Sequence, residues 1–183
     1  CIRDRSQMIG LPVHLRVPNI TVTEISQVPD YLGGAEKMTD GITLQILGHP
    51  RGSIMLLFPQ ESAHRLLGEL LGEQSKALIM NEVTISTLKE VGNILASAYL
   101  SALGNMLHKT LIPSVPLLAY DMAGAVVDYV LIDLSKSSDL AMLVETDFTG
   151  ESASKLAIKG HFFLLPDPST LEIFSMRPED NHD

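Results

Sequence analysis

The stretch STLKEVGNILASAYLSALGNM, Ser86–Met106, carries two side-chain stripes of the same period. Leu88, Val91, Leu95, Ala98, Ala102 and Met106 are spaced by three or four residues, which keeps them on one side of a helix of about 3.6 residues per turn. That side is expected to face the core. Ser86, Glu90, Asn93, Ser97 and Ser101 follow the same spacing and form a polar stripe, expected to meet solvent or a partner. Extending the pattern predicts one long helix from about Glu82 to Leu107. Gly92 is anomalous within it. A glycine in a helix interior costs about 1 kcal/mol relative to alanine, and asparagine is a middling helix former, so propensity recommends neither Gly92 nor Asn93. Glycine lets another element approach closely, and Glu and Asn one turn apart can engage one target from one face. On spacing alone, a solvated face with an incidental glycine is the simpler explanation.

Upstream of this helix the pattern changes. MIGLPVHLRVPNITVTEIS (8–26) alternates apolar and polar residues around prolines, and DGITLQILG and GSIMLLF read as two strands meeting at Gly48–Gly52. QESAHRLLGELLG then puts Leu66, Leu67, Leu70 and Leu71 on one face of a short amphipathic helix, with Gly72 as its stop. Downstream, DMAGAVVDYVLIDL (121–134), LAMLVETDF (140–148) and KLAIKGHFFLLP (155–166) read as three further strands. The class is α+β.

The order of elements repeats. Met8 precedes Val17-Pro18 by the interval that separates Met106 from Val115-Pro116, both members of each pair lying 98 apart (106 − 8 and 116 − 18). GSIMLLFPQES from Gly52 likewise parallels GHFFLLPDPS from Gly160, each an apolar strand stopped by proline. Two similar halves are the economical reading, about 1–77 and 78–176, with a tail at 177–183, together forming one domain.

Composition excludes several classes of function. The 183 residues are 45% hydrophobic and 19% charged, as in an ordinary globular domain. Thirteen Lys and Arg against 22 Asp and Glu leave a formal charge of −9, which repels phosphate backbones and anionic lipid heads, so neither nucleic acid nor a membrane surface is an expected partner. Cys1 is the only cysteine, and a reducing, cytoplasmic setting fits best. His14, His49, His64, His108, His161 and His182 are scattered without ligand spacing, so no metal site is expected. GGAEK (33–37) lacks the pattern of a phosphate loop and reads as a turn. No serine lies in a nucleophile elbow.

Ser86, Glu90, Asn93 and, after 22 intervening residues, Pro116 match the pattern [D/S]-x3-E-x2-N-x22-P. This resembles the signature of the CheC/CheX/FliY family of chemotaxis phosphatases. LKEVGNILASAYLSAL, PSVPLLAYDMAGAVVD and GHFFLLPDP extend the resemblance, most like CheC, over nearly the whole chain. The resemblance implies an α+β fold with a pseudo-twofold repeat and a continuous antiparallel sheet flanked by long helices. It also implies an activity: hydrolysis of the aspartyl phosphate of the response regulator CheY. A receiver domain already supplies Mg²⁺ and a lysine to its acyl phosphate, so the protein needs no cofactor of its own. The missing element is an attacking water held in line. A carboxamide can accept from and donate to that water, which suits Asn93; by family analogy Glu90 pairs with a receiver cation near the phosphate. Ser86 and Pro116 are expected to support the motif structurally. The alternative is a non-catalytic adapter of the chemotaxis or flagellar-switch machinery that binds CheY or the deamidase CheD.

One departure from the family is expected at the start of the chain. CheC proteins commonly carry a site helix in each half, and an offset of 98 puts the first-site asparagine before Cys1, so only one site is expected here. SQMIGLPV resembles the end of that first helix; CIRDR resembles nothing expected upstream.

Overall fold

The computed structural model describes residues 14–16, 20–49, 51–71, 81–133, 140–149 and 158–167. Its centre is a pair of strands that the sequence marks as buried on both faces. The strand β4 (Gly52–Pro59) is a nearly unbroken apolar run and the strand β8 (Ile158–Pro166) is one from Phe162 onward, and they lie antiparallel with Ile54 opposite Leu164 and Leu56 opposite Phe162. A continuous apolar run, rather than an alternating one, is what a strand covered on both sides requires. Successive side chains then divide between two cores. Ile54, Leu56 and Phe58 face one apolar cluster; Met55 and Leu57 face the other.

Outward from this pair the sheet is antiparallel throughout. β3 (Met38–Leu47) pairs with β4, and β7 (Leu140–Thr149) pairs with β8. Two short strands close each side: β1 (His14–Arg16) and β2 (Ile20–Glu24) pair with β7, while β5 (Ile112–Pro113) and β6 (Leu117–Met122) pair with β3. Each half therefore lends its opening strands to the other half's sheet. The registers coincide. Ile20 lies opposite Val144, and the residue 98 beyond Ile20, Leu118, lies opposite Ile42, which is 102 before Val144 (144 − 42). β3 and β7 are each ten residues long and start the same 102 residues apart (140 − 38). The interval between the two Val-Pro pairs thus recurs in the strand pairing. The division placed near residue 77, the stop at Gly72, the segment before His14 and the tail from 177 lie outside the described residues.

Helices cover both faces. α2 (Gln60–Leu71) and α3 (Glu82–Leu107) pack on the first cluster, α2 through Ala63, Leu66 and Leu67. The single turn α1 (Val28–Tyr31) and α4 (Ala123–Asp133) cover the second.

α4 corrects the sequence reading, which took 121–134 as a strand. β6 ends at Met122, and Ala123, Val126 and Val127 are buried at helical spacing while Asp128 and Tyr129 are exposed. An apolar run of this length fits a buried strand or a buried helix equally well by content. The choice is made by the Gly33–Lys37 turn, whose Ala35 and Lys37 carbonyls accept from Gly124 N (2.9 Å) and Ala123 N (2.8 Å) and so satisfy two donors at the start of the helix. Gly33 and Gly34 adopt φ of 91° and 120° there, in the left-handed region that glycine enters at little cost.

Asp40 is the one acidic side chain inside the first core among the described residues. It shares the face of Ile42, lies between Phe58 and Tyr120 across the strands, and is 2% exposed, with Oδ1 lacking a hydrogen-bond partner among the described residues. Burial pushes its carboxyl from 3.8 up to about 6, because the charged form loses its water. The folded state therefore holds this proton more tightly than the unfolded chain. Its contribution to stability is full below pH 3.8, declines as pH rises to about 6, and amounts to roughly 3 kcal/mol across that window. Asp40→Asn is expected to flatten this slope and to raise stability at pH 7.5 by about 1–2 kcal/mol. Urea unfolding at pH 4.5 and pH 7.5 measures both effects; an unchanged slope in the variant would assign the pH dependence to other groups.

Candidate functional site

The helix α3 is defined at both ends by its own residues. Asn81 accepts through Oδ1 from Thr84 N (3.0 Å), and Thr84 Oγ1 accepts from Asn81 N (2.9 Å), so the pair closes a reciprocal capping box. At the other end His108 takes a left-handed conformation, φ 51°, and Lys109 N donates to Gly104 O (2.9 Å), ending the helix in a turn. These caps position a 26-residue rod over β3.

The close contact lies at Gly92. A Cβ added there would come within 2.6 Å of Ile42 Cγ2, and Ile42 is fully buried on β3. The glycine thus marks a close approach of α3 to the sheet. It accepts the propensity penalty so that the helix can lie directly on an isoleucine. Leu88, Val91 and Leu95 are buried around this contact, as their spacing predicts. Farther along, the expectation fails. Ala98 is half-buried and Ala102 exposed, whereas Ala96 and Leu100 are buried. The reason is a change of neighbours: Tyr99 stacks on Phe162 of β8 with ring centroids 4.0 Å apart, and Gly104 approaches Leu111, so the buried side of the helix turns as it proceeds. The Met106 side chain lies outside the described residues.

On the opposite side the polar stripe stands clear of the core. Ser86, Glu90 and Ser101 are exposed; Asn93 and Ser97 are half-buried. The serine hydroxyls turn inward on the helix itself, Ser86 Oγ donating to Glu82 O and Ser101 Oγ to Ser97 O, each at 2.7 Å. Ser86 is thereby occupied by its own helix. No side-chain hydrogen bond to another described residue engages Glu90 or Asn93, which leaves a carboxylate and a carboxamide one turn apart, open to an external partner. Pro116 is half-buried in the loop before β6, and the next two residues, Leu117 and Leu118, pair with Thr43 and Ile42. Both ends of the sequence signature therefore converge on Ile42: Gly92, beside Asn93, from above, and the strand after Pro116 from the side. Ile42 carries no sequence mark that would have nominated it.

Comparison with known proteins places these residues in context. The CheC-like family model matches residues 84–120, a segment containing Ser86, Glu90, Asn93 and Pro116. The chain is 32% identical over 170 residues to the CheY-P phosphatase CheC of Bacillus subtilis, covering 91% of this chain and 81% of that one. The fold is similar to that of FliY of Thermotoga maritima (TM-score 0.63, 14% identity, 92% of this chain and 82% of the other). It is equally similar to the FliM middle domain of Vibrio alginolyticus (TM-score 0.63, 9% identity, 95% and 90%).

The seat at Gly92 makes a prediction opposite to propensity. Gly92→Ala gains about 1 kcal/mol of helix propensity yet drives a methyl into Ile42, and overpacking of this kind costs typically 1–3 kcal/mol. The variant is expected to be less stable than the parent. Adding Ile42→Ala should remove the clash, so the double variant loses at least 1 kcal/mol less than the two single losses combined. Denaturant titration of the four proteins tests this; additive losses would show that the methyl is accommodated elsewhere.

Proposed function

The chain belongs to the CheC-like family, and on that premise we propose that it is a phosphatase accelerating hydrolysis of the aspartyl phosphate of a CheY-type response regulator in chemotaxis. The observation that carries the reading is the pair Glu90 and Asn93, free of partners among the described residues, on the open side of a helix fixed to the sheet one residue away. In the reaction a water oxygen attacks phosphorus, the bond to the aspartyl oxygen breaks, and phosphate and the receiver's carboxylate are released. Little covalent chemistry falls to the phosphatase, because the transition state is dominated by positioning and by charge already offset on the receiver. Mg²⁺ belongs to that receiver, and this chain contributes no cofactor.

Asn93 is assigned to the water. Its carboxamide can donate to the water through nitrogen and accept from it through oxygen, fixing the direction of attack at any pH near neutrality. The Gly92–Ile42 contact fixes the backbone from which this half-buried amide projects. Glu90 is assigned to docking: an exposed carboxylate brought against a phosphoryl group would repel it, so its role is to pair with a cation beside the phosphate. Ser86 and Pro116 hold the helix and the following loop. We place the protein with its substrate in the cytoplasm. An adapter that binds CheY or CheD without turnover would keep the fold but leave the Asn93 amide without a task.

Decay of phosphorylated receiver with the parent and two variants separates these roles. Asn93→Ala should leave folding intact and lower kcat by at least tenfold, toward the receiver's unassisted rate. Glu90→Ala should instead raise KM about tenfold with a smaller effect on kcat. A folded Asn93→Ala protein that retains most of its acceleration would remove Asn93 from the chemistry, and a parent that binds receiver without accelerating decay would favour the adapter.

A further inference from the structure

A protein substrate needs more than one carboxylate and one amide to hold it. Specific docking surfaces bury about 800 Å² on each partner, with aromatic and aliphatic anchors near the centre. The α3 stripe beyond Glu90 and Asn93 is mostly serine, and the hydroxyls of Ser86 and Ser101 are bonded to their own helix. The affinity must come from neighbouring ground.

That ground is the sheet edge beside α3. Leu118 pairs with Ile42, the residue beneath Gly92, and Tyr120 and Met122 follow at alternate positions, so all three project from the face that carries α3. Leu118 is partly buried in the core, whereas Tyr120 is 41% and Met122 46% exposed. α3 hands over to β5 at the Ile46–Leu47 end of β3, so its N-terminal turn lies toward the Met38 end, where Met122 pairs. Tyr120 is also held ready: Gln60 Nε2, at the start of α2, donates to its hydroxyl, fixing the ring before any partner arrives. From Thr110 to Met122 the chain has no cation, and its single acid, Asp121, accepts from Met122 N at 2.7 Å.

We propose that the rim formed by Tyr120 and Met122, on the edge strand that pairs with β3 beneath α3, is an apolar part of the docking surface for the phosphorylated receiver, whose phosphate α3 engages through Glu90 and Asn93. The inference rests on the phosphatase reading and adds the source of affinity: the rim holds the receiver while the helix treats its phosphate. The receiver must then present an apolar patch next to its phosphorylated aspartate.

The test compares the parent with Tyr120→Ala, Met122→Ser and Tyr120→Phe, none of which touches the Glu90/Asn93 pair. KM and kcat for phosphorylated receiver, receiver binding by calorimetry, and sedimentation of each protein alone are measured, with folding checked by circular dichroism. Tyr120→Ala and Met122→Ser are expected to raise KM and weaken binding five- to twentyfold with kcat within twofold, and Tyr120→Phe to fall between Tyr120→Ala and the parent because it keeps the ring but loses the bond from Gln60. Unchanged KM and binding in folded variants would overturn the proposal. So would a parent dimer that the variants dissociate, since a second copy would then occupy the rim. A parent that binds receiver through the rim without turnover would defeat the phosphatase reading while sustaining the docking surface; a parent that does not bind receiver defeats both.

Discussion

The contact between Gly92 and Ile42 governs the placement of everything around it. An isoleucine at the centre of β3, fully buried, meets the helix backbone where any side chain would collide with it. This fixes the height of α3 above the sheet. Because the helix is a rigid rod at this point, it also fixes the direction in which the residues on its far side face. Asn93 is the next residue, and Glu90 is two positions before the glycine. A site exposed to solvent usually lacks the packing that makes geometry reproducible; here that packing is supplied from the opposite side of the same helical turn.

The sheet beneath is held in turn by the exchange of strands between halves. β5 and β6 follow α3 in the chain but pair with β3 of the first half, so the helix and the sheet it lies on are bound by both covalent continuity and a strand ladder. β1 and β2 make the reciprocal connection on β7. With β4 and β8 side by side in the middle, neither half has a complete sheet of its own, and folding of one is expected to depend on the other. Asp40 stands against this economy. It places a carboxyl without a partner for Oδ1 beneath the helical layer, at a cost that grows as it ionises. The structure gives no compensating interaction for it among the described residues.

The fold alone does not choose an activity, since one architecture can carry unrelated functions and the chemistry depends on the side chains placed upon it. What distinguishes this chain is the unengaged Glu90 and Asn93 on a capped, seated helix, together with an apolar rim on the adjoining edge.

The sequence by itself determined the elements whose period or composition admits one reading. The ends of α3, the hairpin of β3 and β4, the helix α2 and the turn at Gly33 could all be read from apolar spacing and breaker residues, because those signals are local. The polar stripe was legible for the same reason, and the resemblance that singled out Ser86, Glu90, Asn93 and Pro116 rests on spacing along the chain. Only the tertiary structure decided the rest. α4 was misread as a strand because its apolar run suits either buried form, and the turn that selects the helix lies some ninety residues earlier (Ala35 against Gly124). The buried side of α3 turned away from Ala98 and Ala102 because Phe162 and Leu111 come from other elements. Gly92, the anomaly in a helical stretch, acquired a cause only when Ile42, fifty residues before it, was placed beneath it. Periodicity records which side of an element is apolar; it carries no record of what that side will touch, because contacts between distant residues are set by how the layers pack.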